Sequence, residues 1–434
     1  MFAATLRHIS QVRATTPRVY WIVWWGSLIN RIGGFVVPLL TLYLTGDRKL
    51  SVADAGVVVS MFGLGQVAAS VVGGHLADRI GRRATMMIGM FGGAAMTLAL
   101  AFASTVWQMT VLVGLVGFVG EMYRPAVSAL VADVVPSEHR AGAYGMLFWA
   151  VNLGFACASV LGGLLAEFDF FLLFVLDAAT MAAFGVIIAL YVPETRPKVV
   201  GRSAASLSAM PAAARAEATR GPLSDPPFLL LVAVTFGFAI IPLQSMVVLT
   251  VHMTEQGFSR SAYGAVMACN GVLIVFLQPV LTALSARFDA VRVIALAMVV
   301  TGVGVALHGV STTLWMHFVA VAIWTTGEIL EVPTRSGMVA AMAPPHARGR
   351  YQGALVLVWG AGNFAAQRLG SQLWQHSHAA LWWGCVGLGV GLGAVSLAAG
   401  PIWRRRVAAG RAYEAELNQR ASAAPRVTVG SGST

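Results

Sequence analysis

Charged side chains inside otherwise apolar segments are the residues of this chain best suited to chemistry. Glu121 and Arg124 are three residues apart, and Glu328, Glu331 and Arg335 follow at intervals of three and four, so each set shares one face of a helix. A charge near the centre of a bilayer costs about 3 kcal/mol, which makes a group of unpaired, lipid-facing charges untenable. These residues are therefore expected to face the protein interior and one another.

Buried carboxylates beside arginines can also exchange protons. A carboxylate shielded from water holds a proton more readily and a nearby arginine opposes this, so proton occupancy depends on whether an arginine or a substrate lies close. The candidates for proton binding are Glu121, Glu328 and Glu331. Their candidate partners, which can also clamp an anionic group, are Arg31, Arg124 and Arg335. The alternative is a set of static ion pairs, and the isolated Asp177 is expected to be structural or to lie at the rim of a pore.

The composition places these charges in a membrane protein. Of 434 residues, 57% are hydrophobic and 11% are charged, whereas soluble domains carry about 25% charged residues. The net charge of +11 predicts orientation signals and contacts with anionic lipids, and no nucleic-acid partner. The three cysteines stand apart in apolar segments with no metal-ligand spacing, so they are interpreted as packing residues and no metal site is expected.

Twelve apolar segments are long enough to span a bilayer, which requires about 20 residues each. With the amino terminus inside, the outer loops hold only Arg48, Lys49 and Arg260, in agreement with the positive-inside rule. The predicted spans are 18–45, 52–76, 84–103, 106–133, 140–166, 169–192, 228–252, 260–284, 291–311, 313–342, 347–375 and 379–402.

The chain divides at its longest polar interruption. We expect a cytoplasmic amino-terminal arm (1–17), a six-helix bundle (18–192), a cytoplasmic linker (193–227), a second six-helix bundle (228–402) and a disordered cytoplasmic tail (403–434). Leu76–Ile80 aligns with Leu284–Phe288 at an offset of about 208 residues, as expected for two parallel repeats. Pro136 and Arg140 align with Pro344 and Arg348 at the same offset.

A short charged loop after the second span carries the most specific motif. The pattern G-x-L-A-D-R-x-G-R-R resembles the signature of the major facilitator superfamily of transporters, and its key residues are Gly74, Asp78, Arg79, Gly81 and Arg82. The resemblance implies that Asp78 caps the eleventh helix and that Arg82 pairs with Asp133 at the end of the fourth, which would latch the outward-open state. The alternative is that these charges only set orientation.

The fifth span resembles the glycine motif of the drug antiporters in that superfamily. Its small residues are Gly154, Ala158, Gly162 and Gly163, and they allow close helix packing. Ala158 and Ser159 replace the central Gly-Pro of the family motif.

The resemblance also implies a central cavity lined by the first, fourth, seventh and tenth helices, which carry all the intramembrane candidates except Asp177. Asn30 and Gln244 lie where the first and seventh helices are expected to bend, near Pro38 and Pro242. Aromatic residues that could line the cavity are Tyr123, Trp324 and Trp359, with ordinary packing as the alternative.

We therefore expect an all-α integral membrane protein of the major facilitator fold, with twelve transmembrane helices in two pseudo-symmetric bundles. The resemblance implies a monomeric multidrug-efflux transporter that exports small lipophilic molecules by proton antiport through alternating access. It would contact substrate, protons and lipids, use no cofactor beyond the proton gradient and catalyse no reaction. The expected location is a bacterial-type cytoplasmic membrane, with both termini cytoplasmic. Two alternatives are a proton-coupled transporter of an anionic metabolite or peptide, and a non-transporting sensor or scaffold.

Overall fold

Twelve long helices make up the structure, a computed structural model that describes residues 16–136, 139–195, 221–344 and 348–423. No β-strand occurs within these ranges. The first six helices are α1 (Arg18–Ile32 and Val36–Leu42), α2 (Val52–Arg79), α3 (Arg82–Ala101), α4 (Val106–Leu115 and Tyr123–Val134), α5 (Arg140–Ala166) and α6 (Phe170–Tyr191). The others are α7 (Pro226–Ile240 and Val248–Glu255), α8 (Arg260–Ser285), α9 (Ala290–Ala306), α10 (Leu314–Met342), α11 (Arg348–His376) and α12 (His378–Ala423).

Ten of these helices are long and apolar enough to cross a membrane. The other two, α10 and α11, contain 29 residues each, which corresponds to about 43 Å of helix. They pack against α9 and α2 respectively, and their mean hydropathy is reduced by polar residues such as Glu328, Glu331 and Asn363. The predicted all-α membrane architecture is confirmed.

Three helices are interrupted near the middle of the protein. The first helix stops at Ile32 and resumes at Val36, where the backbone N–H of Val36 donates to the Asp177 carboxylate at 3.1 Å. A π-helical turn, Val116–Gly120, lies between the two pieces of α4. A 3-10 turn, Pro242–Met246, divides α7. The bends predicted near Asn30 and Gln244 are therefore present, because Gly33–Gly34 and Pro242 interrupt the helical hydrogen bonds.

The two halves of the chain meet along two helix pairs. The α2 and α11 backbones approach at Gly63, where an added Cβ would lie 2.9 Å from the Gly360 carbonyl oxygen. The α5 and α8 backbones approach at Gly163, where an added Cβ would lie 2.9 Å from the Arg260 carbonyl oxygen. The small-residue face predicted on the fifth helix therefore serves close packing between the halves.

The halves are joined at only one end within the described residues. We call the end where α6 finishes and α7 begins the linker end, and the other the distal end. At the distal end, Arg260 pairs with Asp47 at 2.7 Å and donates to the Ala166 carbonyl at 2.5 Å, and the Ser261 N–H donates to Glu167 at 3.0 Å.

At the linker end, the ion pairs Arg82–Asp133 and Arg406–Asp225 each lie within one half. Three glycines at that end, Gly74, Gly145 and Gly353, face open space. The structure is thus closed at the distal end and open at the linker end.

The chain after Trp403 corrects one prediction. Residues 403–423, predicted to begin a disordered tail, continue α12 as a helix. Trp403 is buried and donates its indole N–H to the Pro227 carbonyl at 2.9 Å, while Arg406 pairs with the buried Asp225 at 2.8 Å. These contacts anchor the extension because they satisfy a buried carboxylate and indole. Most of the predicted arm (1–15), most of the linker (196–220) and residues 424–434 lie outside the described residues.

Candidate transport site

The first group of charges lies between α1, α2 and α4. Glu121 accepts from Arg124 at 2.9 Å and lies 3.5 Å from the Arg31 guanidinium. Arg31 also donates to the Tyr123 hydroxyl at 3.2 Å, and Gln66 of α2 donates to Glu121 at 3.4 Å. One carboxylate therefore faces two arginines, and the predicted association of Arg31, Glu121 and Arg124 is present in the structure.

Local structure explains how these side chains converge. Glu121 directly follows the π-helical turn of α4, which shifts the register of the helix before Tyr123. Arg31 lies in the last turn of the first α1 piece. Gly154 of α5 lies against Arg31 and Ile32, so a larger residue at this position would displace the arginine. The glycine motif of the fifth helix therefore also positions the charge group.

The second group lies in the other half, on α8 and α10. Glu328 accepts a hydrogen bond from the Asn270 amide at 3.0 Å, and the same amide donates to the Thr325 hydroxyl at 3.0 Å. No cationic side chain pairs with Glu328 in the part of the chain that the structure describes. Glu331, one turn further along, is fully buried and pairs with Arg335 at 2.6 Å. The three acids thus occupy three different electrostatic environments.

The remaining predicted cavity residues take several positions. Asn30 is buried, and its carbonyl oxygen has no hydrogen-bond partner among the described residues. Gln244 is buried in the α7 break and donates to the Ala366 carbonyl of α11 at 3.3 Å. Tyr123 packs edge-on against Phe184. Trp324 lies in the apolar core against Gly304, and Trp359 lies edge-on to Phe238, so both tryptophans serve packing here.

Asp177 has the structural position that its isolation suggested. Its carboxylate is buried and accepts the N–H of Val36, the first residue after the break in α1. A carboxylate at the start of a helix satisfies unpaired N–H groups and the positive end of the helix dipole. Asp177 therefore stabilises the bent first helix.

The charged loop forms one of its two predicted contacts. Arg82 pairs with Asp133 at 2.9 Å, as predicted. Asp78 is 74% exposed and contacts Arg82 at 3.2 Å, and no residue of α11 within the described ranges contacts its carboxylate. The predicted cap on the eleventh helix is therefore wrong for this conformation, because the halves are apart at the linker end. Gly81 has a φ of 106°, which explains the need for glycine.

A carboxylate that the sequence reasoning missed caps the third helix. Glu194 accepts the backbone N–H groups of Arg82 at 2.8 Å and Arg83 at 3.2 Å. Arg83 in turn donates to the Ala189 carbonyl near the end of α6. The loop motif is thus tied to the end of the sixth helix, and the only sequence signal was an acid directly after that span.

The family comparison agrees with this architecture. The family model described as Major Facilitator Superfamily matches residues 23–367 and 240–425. The chain belongs to the major facilitator superfamily. It is a multi-pass membrane transporter rather than an enzyme.

Members of the superfamily with different named activities resemble this chain. A Na(+), Li(+), K(+)/H(+) antiporter of Planococcus maritimus is 24% identical over 357 residues, which cover 76% of this chain and 83% of the relative. Multidrug resistance protein MdtH of Aeromonas salmonicida (strain A449) is 24% identical, with 77% and 82% covered. A crystal structure of a POT family transporter with a thioalcohol conjugated peptide superposes with a TM-score of 0.74 at 14% identity, covering 89% of this chain and 97% of that chain.

Sequence reasoning also missed the neutral polar residues around the charges of this superfamily member. Gln66, Asn270, Asn363 and Gln367 lie within long helices, and the first two contact the candidate acids. Amides inside apolar segments were the available signal, since a membrane helix buries such groups only where partners exist.

Proposed function

We propose that this protein exports small lipophilic molecules in exchange for protons. The observation that carries the proposal is the environment of Glu328, whose polar contacts are the neutral Asn270 and no cation among the described residues. A carboxylate in this position is most cheaply held within a membrane as the neutral acid. Glu328 is therefore the proton site, while Glu121 and Glu331 remain ionised beside their arginines.

The open and closed ends support an alternating-access cycle. Substrate enters from the linker end, which is the cytoplasmic side if the arginine-rich loop obeys the positive-inside rule. Closure at that end would bring Asp78 toward α11 and form the latch that is absent here. A proton arriving on Glu328 from outside then favours release of the substrate. Both termini are accordingly cytoplasmic, in a bacterial-type inner membrane.

Transport by everted membrane vesicles tests this function. Addition of lipophilic cations, neutral drugs and anionic compounds in turn should cause proton release with at least one class, measured with a pH-sensitive dye. Glu328→Gln should abolish this release. Asp289→Asn is the matched control, because it makes a comparable change at an acid outside the membrane spans and should leave proton release intact.

Two results would contradict the proposal. Full proton release in Glu328→Gln would exclude Glu328 as the coupling site. The absence of release with every compound, from folded wild-type protein, would favour uniport, symport or a non-transporting sensor.

A proton-coupled transporter of an anionic metabolite or peptide is the second candidate. Arg124 is 45% exposed despite its pairing with Glu121, so a carboxylate ligand in the open cleft can reach it. Such a ligand would require the guanidinium fork, so Arg124→Lys should strongly reduce its transport. Transport of a lipophilic cation should tolerate the same change.

A further inference from the structure

A chain of amide side chains crosses the boundary between the two halves at α2 and α11. Gln367 donates to the Asn363 carbonyl oxygen at 3.0 Å, and Asn363 donates to the Gln66 carbonyl oxygen at 3.2 Å. Gln66 then donates to Glu121 at 3.4 Å. The charge group of the first half is thus connected by side-chain hydrogen bonds to a helix of the second half.

The charge on Glu121 accounts for the direction of this chain. An ionised carboxylate only accepts hydrogen bonds, so Gln66 must turn its NH₂ group toward Glu121 and its oxygen toward Asn363. Asn363 then presents its own NH₂ group to Gln66 and its oxygen to Gln367. Every amide therefore points its donor toward the negative charge, and a hydrogen bond to an ionised acceptor is roughly twice as strong as one to a neutral acceptor.

This chain of Gln66, Asn363 and Gln367, which we call the bridge, also depends on close contact between α2 and α11. Gly63, one turn from Gln66, packs against the backbone of Gly360 and Phe364, with no side chain between the helices. Two short amide side chains can span the boundary only at such a separation. If the halves move apart at the distal end, the hydrogen bond from Asn363 to Gln66 must break, so the bridge belongs to the distally closed state.

We infer that Gln66 and Asn363 are positioning residues that link the charge of Glu121 to closure of the distal end. An ionised Glu121 holds the amides in the bridging orientation and favours the closed state. A ligand that compensates the charge of Glu121 weakens the bridge and favours opening. The inference rests on the proposed function for its role in transport, whereas the conformational linkage itself can be measured without transport.

Distance measurement between spin labels tests the linkage directly. Labels on Phe168→Cys and Val310→Cys, which are 84% and 65% exposed at the distal end, would report closure after Cys157, Cys269 and Cys385 are replaced by serine. Gln66→Leu and Asn363→Leu should each shift the closed-to-open ratio toward the open state by about 3- to 10-fold. The double variant should shift it no further, because either change alone breaks the bridge.

Three further variants distinguish the bridge from a general loss of packing. The exchange Gln66→Asn with Asn363→Gln conserves the total length of the bridge and should restore most of the closed population. Glu121→Gln should favour the open state in the wild type but have no added effect in Asn363→Leu. Gln352→Leu is the matched control, because this α11 amide donates to the Ser336 carbonyl within one half and should leave the distal distance unchanged.

The outcomes separate this inference from the proposed function. Additive effects of the two leucine variants, or an unchanged distance distribution in both, would overturn the linkage whatever the transport assay shows. Normal linkage in a protein that releases no protons with any compound would instead contradict only the proposed antiport.

Discussion

The acid sites of the two halves lie on corresponding helices but in opposite electrostatic settings. Glu121 on α4 faces Arg31 and Arg124, whereas Glu328 on α10 faces the neutral Asn270. The first arrangement keeps a charge in the membrane by compensating it, and the second leaves an acid that is neutral or must be neutralised. The two halves therefore carry an acid on corresponding helices with different partners, which allows one site to organise charge and the other to exchange it.

Glu331 and Arg335 form a buried ion pair in which the arginine compensates the charge of the acid. Its disruption should have the largest effect on stability. Glu331→Gln would leave Arg335 buried with an uncompensated charge and should destabilise the protein by about 3–5 kcal/mol. Replacement of both residues by methionine should be far less harmful. Unfolding in detergent, followed by tryptophan fluorescence, would measure the free energy of unfolding of each variant. Equal stability of Glu331→Gln and wild type would contradict the interpretation of Glu331 and Arg335 as a static structural pair.

Glu121 and Glu328 should differ when each is replaced by glutamine. Glu121→Gln leaves two arginines without their carboxylate and should destabilise the fold by about 2 kcal/mol. Glu328→Gln keeps a hydrogen-bond acceptor for Asn270 and removes no charge pair, so the change in unfolding free energy should stay within about 0.5 kcal/mol. The same unfolding assay measures both variants. Equal destabilisation would remove the distinction between a compensated and an uncompensated acid.

Particular residues show how far the sequence predicts this site. Helical spacing placed Glu121 beside Arg124 and Glu331 beside Arg335, because a pair within one helix depends only on local geometry. The loop motif likewise predicted the pairing of Arg82 with Asp133. The partners of Glu328 and Gln66 were not predicted, since Asn270 and Asn363 approach from other helices whose rotation depends on packing.

The errors have physical causes of the same kind. The cap of Asp78 on α11 requires the two halves to meet at the linker end, and a single sequence does not specify which conformation is present. The sequence after Trp403 is basic and then rich in small residues, so it was predicted to be disordered. Its helical extension depends instead on the pairing of Arg406 with Asp225 far away in the chain.

The hydrogen bond from Asn270 offers a finer test of the uncompensated site. Asn270→Leu removes a donor to Glu328, which favours the protonated carboxyl, so proton release should occur at higher external pH. Loss of one hydrogen bond of about 1 kcal/mol corresponds to a shift of up to about one pH unit in the midpoint of the transport profile. A pH series of vesicle assays would measure it. An unchanged or acid-shifted midpoint would separate Asn270 from the proton site.

A carboxylate pair outside the membrane spans should show the smallest effect. The hydrogen bond from Arg404 lowers the pKa of Asp289, with a further contribution from the Arg292 N–H, but the Arg404 side chain is 49% exposed to solvent and that of Asp289 34%. A lowered carboxyl pKa stabilises the fold above the unfolded value of about 4, and this stabilisation is lost as the pH falls through the folded value. Asp289→Asn should therefore lower the melting temperature only slightly at pH 7. The difference from wild type should begin to shrink below about pH 4 and vanish only once the pH is below the lowered pKa of Asp289 in the folded state. If Asp289→Asn destabilised the protein as much as Glu121→Gln, solvent would screen the Asp289–Arg404 pair far less than its exposure indicates. Burial within the membrane would then not be what separates strong ion pairs from weak ones in this protein.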